Sequence, residues 1–171
     1  MQSVQSYIRS QGAVCALLNV ALNPTIAWLG NRPMAFVPLT GANGIVVDTA
    51  LTSIVLSLLV STFVTPGVRR ELRAGQLAAD DTVPWEGRAI SHLPVQALSV
   101  GLLIGILAAI ILAVLIFGVF RMVEAAGLPF VAFALLKAVY TPALGYLVTR
   151  WVILRQVMSY RAESPQRTDV N

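Results

Sequence analysis

Charge is scarce in this sequence. Asp, Glu, Lys and Arg make up 12% of its 171 residues, about half the share of a soluble domain. That is too little to cover a water-facing surface, while hydrophobic residues reach 57%. Cysteine is nearly absent. A single Cys15 excludes an internal disulfide, a CxxC redox pair and a cysteine zinc cage. A lipoprotein reading of Gly12-Ala13-Val14-Cys15 fails because no apolar run precedes the cysteine. Histidine is represented by His92 alone, and HExxH, GxSxG, P-loop and glycine-rich dinucleotide motifs are all missing. Within the apolar runs the only acid is Asp48, so a two-carboxylate mechanism has no second member; Glu124 lies near the outer end of the third run. The expectation is a chain that is not an enzyme and uses no cofactor and no metal. The net charge of +4 does not indicate nucleic acid, since the basic residues sit at the ends of apolar runs without an interleaved aromatic–basic stripe.

What is present is four long apolar stretches of the roughly 20 residues needed to cross a bilayer. They cover about 13–30, 43–65, 94–123 and 129–154. The fold class expected is all-α, a polytopic helical membrane protein with four transmembrane helices in residues 1–160, followed by a disordered tail over 161–171. The third stretch is the clearest, with no charge between Leu98 and Phe120. The first is the shortest and holds Asn19, Asn23 and Pro24. It resembles a signal peptide in outline, with Arg9 ahead of 13–22, but Asn19 interrupts the core and apolar residues resume after it; a retained helix is expected. Pro66-Gly67 is expected to end the second span, Val68–Leu77 to form a short basic segment that is a solvated positive-inside loop, with contact to anionic headgroups as the alternative, Asp80, Asp81 and Pro84 to form a turn, and Ser91 to cap the third span. Trp28, Trp85 and Trp151 fall near span boundaries, where amphipathic rings prefer to sit.

Orientation follows from arginine. Arg9, Arg69, Arg70, Arg73, Arg88, Arg150, Arg155, Arg161 and Arg167 belong to one side, and Arg32 and Arg121 to the other. This asymmetry places both termini and the central loop in the cytoplasm of a bacterial-type inner membrane, as a multi-pass protein.

Two stripes recur every four residues and so each line one face of a helix. Thr49, Ser53, Ser57, Ser61 and Thr65 mark the second span; Ala97, Gly101, Gly105, Ala109 and Ala113 mark the third. Small residues permit close backbone approach, the usual packing device in lipid, so spans two and three are expected to form an antiparallel hairpin. A wet path along the hydroxyls and a homodimer seam at Gly101/Gly105 are the alternatives.

A polar group is expected in the outer third. With 1.5 Å of rise per residue, Asp48 lies ~7 Å, Asn23 ~10 Å and Lys137 ~12 Å inside their helix ends. Charges of opposite sign at one level on different helices suggest an ion pair, because an unpaired charge there costs a few kcal/mol. Asn19 shares a face with Asn23, and Tyr140 and Thr141 share one with Lys137. Pro24 and Pro142 free the carbonyls of Val20 and Ala138 beside them. Two functional expectations follow. One is a small permease-like or channel-like unit, a homo-oligomer that handles a small solute or ion at this cluster. The other is a non-transporting accessory or assembly subunit that meets another membrane protein through the Gly101/Gly105 face. A hydrated cavity reaching Lys137 would favour the first; a closed Asp48–Lys137 contact sealed by aromatics would favour the second.

Overall fold

The computed structural model describes residues 2–31, 34–78 and 90–163. The expectations for Arg32, Asp80, Asp81, Pro84, Trp85, Arg88, Arg167 and residues 164–171 fall outside these residues.

Four helices, each long and apolar enough to cross a membrane, account for nearly all of the described chain. The first, α1, spans Val4–Asn31 and starts nine residues earlier than expected. Ser3 accepts a hydrogen bond from the Ser6 amide at 3.2 Å, which caps the helix. Val4, Ile8, Gly12, Asn23 and Ala27 are buried along one face. At ~1.5 Å per residue its 28 residues are more than a bilayer core requires. The shortest apolar stretch therefore belongs to a full-length helix.

The second helix, α2, spans Ile45–Arg73 and runs through Pro66. The expected stop at Pro66-Gly67 is thus wrong. The break comes at Gly75, whose φ of 66° is the left-handed conformation that favours glycine. The Gly75 amide bonds to the Leu72 carbonyl and the Gln76 amide to the Glu71 carbonyl, a Schellman-type ending. What holds the helix together past the proline is burial of Val68 and Leu72 against Val4, Ile8, Ile153, Leu154 and Val157. Val68–Leu77 is accordingly two more helical turns, a left-handed stop and the start of a strand.

The third helix, α3, spans Ala97–Met122 with Gln96 in the N-cap position. Ser91 is not its cap: Pro94 lies between them, and a proline disfavours helical geometry in the residue before it. The helix ends with Glu124 at φ 53° and the Ala125 amide bonded to the Phe120 carbonyl. The fourth, α4, spans Phe130–Glu163 and passes through Pro142. It continues nine residues beyond the expected end, so Arg161–Glu163 are helical instead of the start of a disordered tail.

Two short ladders tie the ends. Gln2–Ser3 (β1) pairs in parallel with Leu77–Ala78 (β3) at one end. Phe36–Pro38 (β2) pairs antiparallel with Gly127–Pro129 (β4) at the other. Gly127 is required there because a Cβ would strike the Val37 carbonyl oxygen and the Phe36 ring. The helices lie in the spatial order α1–α4–α2–α3: α2 packs on α3, α4 on α1, and α2 and α4 meet in the middle. Arg9, Arg69, Arg70, Arg73, Arg155 and Arg161 gather at the β1–β3 end, where nine apolar residues from α1, α2, α4 and the adjoining segments form a core.

Candidate functional site

The small-residue stripes meet as a helix seam. A Cβ on Gly105 would come within 2.8 Å of the Ile54 Cα, and one on Gly101 would strike the Ser61 hydroxyl and the Leu58 Cα. Ala109 is buried as well. Ser61 donates to the Ala97 carbonyl at 2.5 Å and Ser53 to its own helix at Thr49, 2.7 Å. Ser53, Ser57 and Ser61 are fully buried. Gly101 and Gly105 are spent on α2 within one chain, which leaves them unable to serve as the partner-binding or homodimer face.

A second close seam, between α1 and α4, was not anticipated. A Cβ on Gly145 would lie 2.8 Å from the Asn19 amide nitrogen and 3.1 Å from the Cys15 sulfur, and one on Gly12 would collide with the Tyr146 ring. Its signal was present as Thr141, Gly145 and Thr149, four residues apart, the same small-residue period as in α3.

Between the two central helices, Lys137 meets Asp48. The ammonium lies 2.7 Å from Asp48 Oδ2 and 3.0 Å from Oδ1, and donates to the Thr52 hydroxyl at 3.2 Å. Lys137 is 2% exposed and Asp48 26%. Asp48 occupies the first turn of α2, where the positive end of the helix dipole favours a carboxylate. Lys137 sits two turns inside α4 and reaches outward to it. Its ammonium also lies 5.4 Å from the centre of the Phe133 ring, within cation–π range. Phe133 is completely buried, in an apolar cluster with Ala27, Val37, Leu39, Ile45, Ile116 and Phe120. That cluster joins the β2–β4 end of the molecule to the helices.

The other polar residues stand on either side of this contact. Asn19 donates to the Cys15 carbonyl at 2.7 Å, and Asn23 donates to Asn19 Oδ1 at 2.7 Å. The two asparagines thus form a ladder along α1 and do not bond the charged pair. Thr141 donates to the Lys137 carbonyl at 2.7 Å and approaches the Asn19 carbonyl at 3.4 Å, so it links α4 to the ladder. The expected use of the carbonyl freed by Pro142 is not found, because the ammonium turns to Asp48 and Thr52. Tyr140 brings its hydroxyl beside those of Thr49 and Thr52, so three hydroxyls cluster in the interior next to Asp48. Thr52 is the site residue that the sequence reading missed. It is one helical turn from Asp48, and that spacing was its available signal.

Among the described residues no group of three or more His, Cys, Asp or Glu could hold a metal. Glu124 is exposed at the end of α3 and forms no ion pair with the site. No protein-family model matches the chain, and no curated protein or solved structure is detectably similar to it.

Proposed function

We propose that this chain is a non-transporting accessory or assembly subunit of a membrane, in which the Asp48–Lys137 pair locks α2 to α4. The supporting observation is that the ammonium is satisfied within the chain. Two carboxylate oxygens and one hydroxyl surround it, with the Phe133 ring beside it. A pair of this kind suits a structural role: removing one partner strands a charge, while replacing both with apolar residues of similar volume is tolerated. The arginine-rich end faces the cytoplasm of a bacterial-type inner membrane in this reading. The partner of such a subunit meets a surface other than Gly101/Gly105.

The test is a double-mutant cycle in detergent-solubilised protein. Lys137→Met and Asp48→Leu should each lower stability by about 3 kcal/mol, the low end for a buried pair because Asp48 keeps some solvent contact. The combined variant should recover most of that loss and reach the membrane at the wild-type level. If the single variants are as stable as wild type, the lock is refuted.

A second reading, a permease-like or channel-like unit, is favoured by the cluster of Thr49, Thr52 and Tyr140 hydroxyls next to Asp48. Purely structural packing would be cheaper with apolar groups there. In this reading Asp48 exchanges Lys137 for a small polar or cationic solute, and the path forms between copies because one row of four helices encloses little. Asp48→Asn and Lys137→Ala would then abolish solute flux into proteoliposomes at unchanged protein level and oligomer size. Loss of either variant from the membrane returns the argument to the lock.

A further inference from the structure

A second polar site lies at the opposite, arginine-rich end. There the last turns of α2 and the start of α3 border a pocket of about 650 Å³ lined by Thr65, Pro66, Arg69, Arg70, Arg73 and Ala97. Three arginines line it and, among the described residues, no carboxylate does. Arg69 is committed to the fold: it donates to Gln156 Oε1 at 2.8 Å and to the Val95 carbonyl at 3.1 Å. Gln156 donates to the same carbonyl at 3.0 Å, which fixes the approach to α3. Arg70 and Arg73 are exposed and have no hydrogen bond or ion pair among the described residues.

Two independent features complete an anion site. The N-cap residue of α3, Gln96, makes no side-chain capping bond, so the first amides of a 26-residue helix are left open at the edge of the pocket. The Ser61 hydroxyl holds the Ala97 carbonyl and keeps that helix start in place. Thr65, also in the lining, is 3% exposed, yet its hydroxyl has no hydrogen-bond partner. A buried hydroxyl in want of a partner, an uncapped helix start and two unpaired guanidiniums are donors without an acceptor. Guanidinium and amide donors together match the oxygens of a phosphate.

We propose that this pocket binds a phosphate group, and that in the membrane it is the phosphate of an anionic phospholipid headgroup. Thr65, Pro66 and Ala97 belong to the apolar span ends, so a headgroup seated among the arginines leaves its acyl chains alongside α2 and α3, whose lipid-facing residues Phe63 and Leu98 are exposed. Arg70 and Arg73 supply attraction, while Thr65 and the α3 amides supply position. This site is independent of the Asp48–Lys137 pair at the other end of the helices.

The experiment exposes purified full-length protein to an equimolar mixture of phosphatidylglycerol and phosphatidylcholine and counts retained lipid by native mass spectrometry. Wild type should favour phosphatidylglycerol, and Arg70→Gln/Arg73→Gln should reduce that preference by about 20-fold, taking roughly fivefold per arginine near a charged surface. Thr65→Val should lower it a few-fold without changing the unfolding temperature. Arg121→Gln, which removes an arginine at the opposite end of the helices, should leave it intact. A parallel arm measures protection against thermal unfolding by millimolar inorganic phosphate. Protection by phosphate that the Arg70/Arg73 variant loses, without any lipid preference, would support the phosphate site but assign it to a soluble ligand. Equal lipid retention by wild type and the Arg70/Arg73 variant, with no protection by phosphate, would overturn the site.

Discussion

Lys137 stands two helical turns inside a helix long and apolar enough to cross a membrane, with its side chain almost completely buried, and its neighbours explain how that is tolerated. Asp48 removes the net charge, Thr52 takes one of the remaining donor positions, and Phe133 offers the face of its ring. The depths read from helix rise were sufficient to match Asp48 with Lys137, because opposite charges at one level have few other places to go. The asparagines, expected around the pair, bond along α1 instead of to it. An amide can bond along its own helix at spacing four, which Asn19 and Asn23 do, and sequence spacing cannot tell that from a bond across helices. The glycines are more sharply constrained. Gly105→Leu must push the Ile54 backbone and should cost about 1–3 kcal/mol as overpacking. Gly118→Leu on the same helix meets nothing within 4 Å and should unfold at the wild-type temperature. A thermal melt of both in detergent tests this, and equal melting temperatures would contradict the seam.

At the level of the helices, apolar runs located all four but misplaced several ends. The cap expected at Ser91 falls at the extended Gln96. The stop expected at Pro66-Gly67 relied on local breakers, and α2 instead ends at the left-handed Gly75. Glu124 holds such a position without being glycine, at a cost that glycine avoids. Glu124→Gly should therefore raise stability by about 1 kcal/mol, read as a higher unfolding temperature; a lower one would mean that the glutamate side chain contributes something the backbone does not reveal. The helix extensions past the apolar runs could not be read from hydropathy, because they exist to bury Val4, Ile8, Val68, Leu72 and Val157 against one another. The crossing pattern is itself measurable. In a Cys15→Ser background, cysteines placed at Ser3 and Gly75 should react with a membrane-impermeant thiol reagent from one side, and those at Gly41 and Glu124 from the other. Labelling of Ser3→Cys and Gly41→Cys from the same side would show that α1 does not cross.

For the molecule as a whole, the order α1–α4–α2–α3 puts the two helices that carry Asp48 and Lys137 in the centre and leaves the most apolar, α3, at an edge. This arrangement predicts a specific cross-link. A cysteine at 145 would place its Cβ 3.1 Å from the Cys15 sulfur, compatible with a disulfide. Gly145→Cys should oxidise to an intrachain bond between α1 and α4, seen as loss of both free thiols; two alkylatable thiols after oxidation would contradict the helix order. The sequence by itself determined the class of the protein, the number of its apolar helices and the match of Asp48 with Lys137. Hydrocarbon allows few options: backbone groups must bond within a helix, and lone charges must find a partner. Only the tertiary structure decided which helices touch, that the glycine face packs inside the chain, and that the Lys137 ammonium also meets Thr52 and the Phe133 ring. Those outcomes depend on contacts between residues far apart in the chain, and close packing selects among them by fits of a few tenths of an ångström that a pattern of residue types does not encode.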